Sequence, residues 1–323
     1  MPTRPARGIS VVIANWNGGK HIAKCLDALN SQSQIPDEVV VVDNGSTDGS
    51  PFLIRKDYPH VRLLTRPRNE GFCVGYNRAI RASRFPSVLI LNSDVFLDPD
   101  FLERAENALT GDPGVGWISA RIRLDNEKEQ LDHKGQVLLK RMALANRKDL
   151  ADRDNVFAGS GAAIFCRREM LDDVAIEGEV YDEDFFAYIE DLDLAWRAQH
   201  RGWRCIYRSD VSAQHIGSAS QGRRVRVLDK TPEFLVHIIK NRYLTLIKNA
   251  TPGVLVRFLP YVIAGEIAFW GALMLRRPSL VRVFPLALSR THRLIPSALR
   301  KRRHVMRRRL MSDQHIIGLS RGL

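Results

Sequence analysis

The sequence predicts an α/β fold in which a mostly parallel β-sheet is flanked by helices. Short apolar runs rich in β-branched residues alternate with segments of helical apolar spacing over residues 9–109. Such alternation indicates parallel strands joined by right-handed crossovers, which bring the strand ends to one edge. The runs end in polar residues, and ligands bind at the carboxyl edge of such sheets, so we expect a site there.

The first part of the chain supplies four strands with helices between them. The predicted strands are 9–13, 38–42, 61–64 and 88–91, and the predicted helices are 21–29, a segment beginning near residue 72, and 99–109. The second strand is a solid valine run, as expected of a strand covered on both faces. It ends at Asp43, in a polar turn that also supplies a helix N-cap.

The pattern is looser after an apolar run at 115–122. Residues 123–153 are polar and charged, and we expect a flexible excursion over the sheet edge. A strand entered from the small residues after Phe157 follows, and then a helix over 190–201 that Gly202 ends. Short strands at 205–207 and 211–214 lead to His215, and a further helix is predicted over 233–248.

The stretch SVLILNSD, residues 87–94, is the clearest candidate for a ligand site. Its apolar strand delivers Asn92, Ser93 and Asp94 to the edge of the sheet. A single strand-end Asp often does no more than cap the next element. Asp94 beside Asn92 could also hold a divalent cation, since Mg²⁺ binds through one or two carboxylates together with substrate phosphates.

Other polar residues are also candidates for ligand binding, because the predicted topology brings them to the same edge of the sheet. Asp43 could accept from a nucleotide base or a ribose hydroxyl, or could simply form a turn. Acids at a helix start, such as Glu190 and Asp191, are favoured by the helix dipole and are often structural. The remaining candidates are the loop and helix residues Asn69, Gly71, Gly75 and Asn77, whose pattern is typical of an approach to a phosphate or sugar, and the strand-end His215.

The net charge of +13 is concentrated in one region. Residues 276–310 contain 12 Lys or Arg and no acid; Asp313 and Arg321 cancel, so residues 1–275 carry about +1. The four cysteines are scattered without a C-x-x-C pair, which argues against a zinc site and fits reduced cytosolic thiols. The first residues contain no secretory apolar core.

Residues 251–275 form the most apolar stretch, but Arg257, Pro260 and Glu266 interrupt it. We therefore expect neither a clean transmembrane helix nor a single amphipathic stripe. The cations that follow favour binding to the anionic inner leaflet, at about 1 kcal/mol per cation. One alternative is a helical subdomain packed on the core with a solvated tail. Nucleic-acid binding is disfavoured because, after Trp270, only Phe284 is aromatic.

Seven motifs, in order, carry a resemblance to a known family. They are VVIANWN, VVVDNGSTDGS, RNEGFCVGYNRAI, LILNSD, FAGSGAAIFCRREML, YIEDLDLAWRAQHRGW and QHIGSAS. Over residues 8–250 the chain resembles the inverting glycosyltransferases of family 2, which have the GT-A fold, and in particular their bacterial rhamnosyltransferase-like branch. The resemblance implies a GT-A domain over residues 1–250. The apolar stretch and the cations that follow it predict a helical, basic, membrane-associating region over 251–323.

The resemblance also implies roles for individual residues. Asp191, with Glu190 beside it, would be the catalytic base, and Asp94 with His215 would bind Mg²⁺ or Mn²⁺. Donor binding would involve Asn15, Asn17, Asp43, Asn69, Gly71, Asn77, Asn92 and Ser93, and the acceptor side would be lined by Gly159, Ser160 and Gly161. The family's D-x-D motif reads Asn92-Ser93-Asp94 here, and an amide is a weaker metal ligand than a carboxylate.

The implied partners are a TDP-, UDP- or GDP-linked sugar donor and a glycan or polyprenyl-diphosphate-linked acceptor, with no nucleic acid. The scattered cysteines and the cationic C-terminal region predict a cytoplasmic protein, peripheral at the inner face of the plasma membrane. A rival prediction is a nucleotidyltransferase, which would need a glycine-rich basic loop where this chain has Asn15-Trp16-Asn17. The second rival prediction is a lipid- or nucleic-acid-binding protein that keeps an inactive transferase fold, and nucleotide-sugar binding without turnover would favour it.

Overall fold

The computed structural model describes residues 6–124, 130–147, 149–216 and 230–321. The strands are β1 (Ile9–Asn15), β2 (Glu38–Asp43), β3 (Arg62–Thr65), β4 (Ser87–Leu91), β5 (Val95–Leu97), β6 (Val115–Leu124), β7 (Leu131–His133), β8 (Gln136–Leu139), β9 (Ala143–Asn146), β10 (Asn155–Val156), β11 (Ala163–Arg167), β12 (Arg204–His215) and β13 (Ser320–Arg321). The motif QHIGSAS ends in residues 217–220, which lie outside the described residues.

The helices alternate with these strands and then dominate the C-terminal part. They are α1 (Ile22–Asn30), α2 (Ser50–Asp57), α3 (Phe72–Ala82), α4 (Phe101–Thr110), α5 (Arg168–Val174), α6 (Glu190–Arg201), α7 (Pro232–Asn249), α8 (Pro252–Arg276), α9 (Val283–Arg308) and α10 (Asp313–Gly318). The four predicted N-terminal strands are confirmed to within two residues at each end. The helix over 190–201 is confirmed, and Gly202 ends it at φ +84°.

The sheet is mixed, with a parallel half that carries the strand ends of interest. Its order is β10-β12-β6-β11-β4-β1-β2-β3, with β5 paired to β12 and β7 to β6. Strands β3, β2, β1 and β4 are mutually parallel, whereas β11 runs antiparallel to both β4 and β6. The register pairs Asn15 with Asp43 and Asp43 with Thr65, so these residues share one edge.

Alternate residues of each central strand enter two different apolar layers, as strand geometry requires. Val12 and Val40 face a layer built with α3 and α6, whereas Val11 and Val41 face a layer built with α1 and α4. The helices on both faces explain why the second strand is an unbroken valine run. All four cysteines are free and buried in these layers.

The expected flexible excursion over residues 123–153 is wrong for much of its length. The segment contains β7, β8 and β9, and β8 pairs with β9 and with the C-terminal β13. Its apolar residues Val137, Leu138 and Leu139 are buried, so burial supplies the order that the polar composition hid. The two short strands predicted at 205–207 and 211–214 form the single strand β12, which has an irregularity between Arg208 and Ser212.

The basic C-terminal region is helical, as expected, and it packs on the rest of the protein. Helix α9 lies along α7. Lys301 of α9 is 3% exposed, and its Nζ lies 2.5 Å from Asp182 Oδ1 and 3.0 Å from carboxylate oxygens of Glu179 and Asp184. The division at residue 250 stays a prediction, but α9 is not a free solvated tail.

Among the described residues, α8 is the helix long and apolar enough to cross a membrane. The mean hydropathy of its most apolar 18-residue stretch is 1.6, and only 17% of that stretch is buried inside the protein. An apolar stripe at helical spacing faces solvent: Val256, Leu259, Ile263, Ile267 and Met274. Glu266 forms an ion pair with Arg242 and accepts hydrogen bonds from Tyr243 and Trp270. It therefore interrupts the apolar run in the sequence but does not lie in the exposed stripe.

Candidate active site

A cavity of about 510 Å³ opens at the carboxyl edge of β1 and β4. Its polar lining is Asn15, Asn44, Asn69, Asn92, His133, Gln136, Ser160, Glu190, Asp191 and His215. Its aromatic lining is Trp16, Phe72, Phe186, Tyr188 and Phe234. The volume suits a small organic ligand, and the mixture of aromatic faces with hydrogen-bonding groups suits one that is both polar and flat-faced.

Asp191 reaches this cavity because of the conformation of the loop before α6. Phe186, Tyr188 and Ile189 have positive φ values of 66°, 71° and 70°, a sparsely populated region for residues with side chains. The Asn241 side-chain amide donates to the backbone carbonyls of Phe185, Ala187 and Tyr188. Asn241 on α7 therefore stabilises the strained loop that presents the first turn of α6.

The Asp191 carboxylate is packed against the backbone of Gly161. A Cβ atom built at Gly161 would lie 2.0 Å from Asp191 Oδ2, so only glycine fits there. Asp191 Oδ1 is buried and has no hydrogen-bond partner among the described residues. Burial raises the pKa of Asp191 to about 7. A carboxylate with this pKa and a free lone pair can accept a proton near neutral pH.

The three acids that open α6 have different environments. Glu190 is buried. Its burial and, to a smaller extent, repulsion from Asp191 raise the pKa of its carboxyl well above the ordinary value. Asp193 forms ion pairs with Arg197 at 2.9 Å and Lys248 at 2.8 Å, which outweigh burial and lower its pKa. Asp193 is thus an ion-paired structural residue, whereas Glu190 and Asp191 line the cavity.

Asp94 and His215 meet at the same edge. His215 Nε2 lies 3.5 Å from Asp94 Oδ2, and His215 Nδ1 lies 2.9 Å from Asp132 Oδ2. Burial alone would lower the pKa of His215, but its hydrogen bonds to Asp132 and Asp94 raise it to about 9. Because Asp132 binds Nδ1 of His215, the other ring nitrogen, Nε2, is the one that would face a metal ion.

The donor set at this position fits a divalent cation only in part. A carboxylate oxygen and an imidazole nitrogen are both suitable ligands for Mn²⁺. Within the described ranges, however, no three His, Cys, Asp or Glu side chains are arranged to hold a metal ion by themselves. A cation bound by Asp94 and His215 would therefore take further ligands from oxygen atoms of a bound molecule, as Mg²⁺ commonly does.

Among the predicted donor residues, Asn15, Asn69 and Asn92 line the cavity. Asn15 Nδ2 donates to Asp43 Oδ1 at 3.1 Å, while Asn15 Oδ1 is buried with no described partner. Asp43 is buried directly behind Asn15 and also accepts from the Ser46 backbone at 3.2 Å. Asn15 Oδ1 lies next to Gly18, and Asp43 orients the Asn15 amide from behind.

Several predicted residues lie behind the cavity. Asn77 Nδ2 donates to Tyr181 O and Glu183 Oε1, and Asn77 Oδ1 accepts from Tyr181 N, so its amide ties α3 to the loop before α6. Gly71 makes room for the Phe186 ring. Asn17 accepts from the backbone of Thr47, Gly159 contacts Ser119, and Ser93 lies near Gly18. Of the acceptor-side residues, Ser160 and Gly161 line the cavity.

Sequence reasoning missed Asp132, Asn241 and the aromatic residues that line the cavity. Asp132 lies in the polar segment expected to be flexible, and Asn241 sits inside an ordinary helical pattern. An acid–histidine pair, Asp132-His133, was the one local signal available. Asp132 contacts His215, which is 83 residues away in the sequence, so the Asp132-His133 pair could not indicate this contact without the fold.

Comparisons with known proteins identify the family of this chain. A model of glycosyl transferase family 2 matches residues 10–175, slightly more than half of the chain. An N-acetylglucosaminyl-diphospho-decaprenol L-rhamnosyltransferase of Mycobacterium tuberculosis is 26% identical over 243 residues, which cover 67% of this chain and 78% of that protein.

Solved structures share the fold at low identity. One is S. aureus TarS 1-349 in complex with UDP-GlcNAc, with a TM-score of 0.60 and 16% identity, covering 92% of this chain and 88% of that one. Another is the mannosyltransferase PcManGT from Pyrobaculum calidifontis in complex with GDP-Man and Mn²⁺, with a TM-score of 0.56 and 20% identity. This similarity covers 94% of this chain and 86% of that one.

Proposed function

This chain belongs to glycosyltransferase family 2 and has the GT-A fold, and from that premise we propose that it inverts the anomeric centre of the sugar it transfers. The donor is a nucleotide-sugar, and the acceptor is a hydroxyl of a lipid-linked or cell-surface glycan. The observation that carries this proposal is the Asp191 carboxylate, which lines the cavity, has an oxygen without a hydrogen-bond partner among the described residues, and has a raised pKa.

Asp191 acts as the general base in this proposal. The acceptor hydroxyl oxygen forms a bond to the anomeric carbon of the donor sugar as its proton passes to the Asp191 carboxylate. The bond from the anomeric carbon to the diphosphate oxygen breaks, and the nucleoside diphosphate leaves with that electron pair. A single displacement of this kind inverts the anomeric configuration. Burial raises the pKa of the Glu190 carboxyl well above its ordinary value, and a protonated carboxyl at this position would donate a hydrogen bond within the site.

Asp94 and His215 would hold Mg²⁺ or Mn²⁺, with Asp132 orienting the His215 ring. Such a cation would offset the negative charge that develops on the leaving diphosphate. The donor nucleotide would occupy the part of the cavity lined by Asn15, Asn69 and Asn92, with Asp43 and Ser93 supporting it from behind. Ser160 and Gly161 would line the acceptor side.

The proposed transferred sugar is a deoxysugar such as rhamnose, since the mycobacterial relative is named as an N-acetylglucosaminyl-diphospho-decaprenol L-rhamnosyltransferase. The nucleotide would be TDP, UDP or GDP. An acceptor on a polyprenyl diphosphate would place the enzyme at the cytoplasmic face of the membrane as a peripheral protein. The exposed apolar stripe of α8 and the cations of the C-terminal region support this location.

The test begins with a screen of TDP-, UDP- and GDP-sugars with Mn²⁺ for thermal shifts of the full chain. For the donor that binds, Asp191→Asn is expected to lower turnover by about 10²–10⁴ while leaving donor affinity nearly unchanged, because a general base is lost. Turnover above about a tenth of the unmodified protein's would show that Asp191 is not the base. Donor binding without turnover in the unmodified protein would favour a non-catalytic binding function.

A further inference from the structure

A second cavity of about 680 Å³ lies beside the first, between α7, α8 and the hairpin formed by β8 and β9. Its walls are mainly apolar and include Met142, Leu144, Leu192 and Phe269. Asp191 lines this cavity as well as the first one. The two cavities therefore approach the same carboxylate, and only the first contains the residues assigned above to the donor.

The second cavity is roomy because α8 turns small residues towards it. Ala264, Gly265 and Ala268 line it from one side of the helix. A Cβ atom at Gly265 would lie 3.1 Å from Arg141 Cβ, which is a tight contact. The exposed apolar stripe of α8, which includes Ile263 and Ile267, lies on another face of the same helix. Helix α8 thus separates an apolar cavity from an apolar outer surface.

Two arginines supply positive charge to this otherwise apolar space. Arg141 is exposed, lines the cavity and makes no ion pair within the described residues. Arg242 lines the cavity from α7, and Glu266 holds one of its terminal nitrogens at 2.9 Å. Arg242 Nε is buried without a described hydrogen-bond partner. Guanidinium groups beside apolar walls complement a ligand that joins phosphate groups to a hydrocarbon chain.

We propose that the second cavity binds the diphosphate and the first isoprenoid units of a polyprenyl-diphosphate-linked acceptor. This proposal rests on the glycosyl-transfer function proposed above and assigns the acceptor its own site. A single displacement requires the acceptor hydroxyl to reach the base from a side that the donor does not fill. Asp191 lies where the two cavities meet, so an acceptor held by its lipid in the second cavity would present its sugar to that carboxylate.

The occupant is the lipid-linked acceptor and not a bulk phospholipid. A phospholipid in this cavity would place no sugar hydroxyl near Asp191, and a cavity adjoining the base would then have no use in transfer.

The test measures binding of farnesyl diphosphate to the full chain by titration calorimetry. Ala268→Trp is expected to weaken binding at least tenfold, because Ala268 is exposed and lines the cavity, so the indole can fill the space without disturbing the core. Ile267→Trp is the matched control: residue 267 is 70% exposed, does not line the cavity, and should leave affinity unchanged. Arg141→Ala should also weaken binding, and inorganic diphosphate should bind less tightly than farnesyl diphosphate.

Equal affinities for Ala268→Trp and Ile267→Trp would overturn the proposal, as would equal binding of inorganic diphosphate. Competition by phosphatidylglycerol as strong as that of farnesyl diphosphate would assign the cavity to bulk lipid and also overturn it. Donor nucleotide affinity and donor turnover, measured in parallel, separate the two proposals. Farnesyl diphosphate binding with the expected variant pattern but no sugar transfer would contradict the transferase function alone.

Discussion

Asp191 Oδ2 would lie 2.0 Å from a Cβ atom at Gly161, far closer than a non-bonded carbon and oxygen atom can approach. Gly161→Ala should therefore push the Asp191 carboxylate out of its position. Because general-base catalysis depends on the placement of the accepting oxygen, we expect turnover to fall by at least about tenfold with little change in donor affinity. Steady-state kinetics and donor titration measure the two effects separately.

Gly271→Ala is the matched control, since a Cβ atom there meets nothing within 4 Å. Thermal melting of both variants shows whether either loses its fold. Unchanged turnover in a folded Gly161→Ala protein would mean that the carboxylate moves freely or is not the base.

The pH dependence of turnover should report Asp191. Burial raises its pKa to about 7, and only the ionised carboxylate can accept a proton. Turnover should consequently rise about tenfold per pH unit below that pKa and level off above it. A rate profile from pH 5 to 9 under saturating donor checks this, and a profile flat down to pH 5 would exclude Asp191 as the titrating base.

The same burial makes Asp191 costly to ionise, so its substitution should affect stability in a pH-dependent way. Between the unfolded pKa near 4 and the folded pKa of about 7, the folded protein holds the extra proton, and its stability decreases as pH rises through this range. Asp191→Asn should therefore raise Tm by a few degrees at pH 8 and by little at pH 4. Equal shifts at both pH values would show that ionisation of Asp191 is not the cause.

Lys301 should contribute strongly to stability, because it joins α9 to three carboxylates. Burial alone would raise the pKa of Asp182, but Lys248 and Lys301 outweigh it and lower that pKa. Lys301→Met leaves Asp182 with one buried cation and should reduce the free energy of unfolding by about 3–5 kcal/mol. The control is Arg303→Met two residues away, where the side chain is exposed. Similar losses for the two variants in urea denaturation would contradict this role.

Asp94 should matter for nucleotide-sugar binding only when a divalent cation is present. Asp94→Ala is expected to weaken donor affinity with Mn²⁺ but to change it little in EDTA, and Asp132→Asn should reduce Mn²⁺ affinity by about 10–100-fold through the orientation of His215. Donor titration calorimetry with Mn²⁺ and with EDTA checks the first expectation, and manganese titration followed by electron paramagnetic resonance checks the second; neither requires turnover. Loss of donor affinity that is equal with and without chelator would make Asp94 a structural residue.

The chain's local patterns were sufficient to predict the four N-terminal parallel strands, the helix that begins at Glu190 and the polar strand ends. Apolar periodicity depends on a few neighbouring residues, so strand β4, helix α6 and the position of Asp94 just beyond a buried strand could be predicted from it. The acids Glu190 and Asp191 could likewise be placed at a helix start. The different roles of Asp191 and Asp193 could not be predicted from the sequence. They depend on what surrounds α6, because burial raises the pKa of Asp191 whereas ion pairs lower that of Asp193.

Tertiary structure alone decided which distant residues meet. Asp132 and His215 are 83 residues apart, and Lys301 and Asp182 are 119 apart, so no window of local sequence contains either pair. The order of the C-terminal helices and of the segment over 130–147 arises from such contacts, which bury side chains that look solvent-exposed in the sequence. Asp191 reaches two cavities for the same reason: their walls come from strands, loops and helices that only the packed chain brings together.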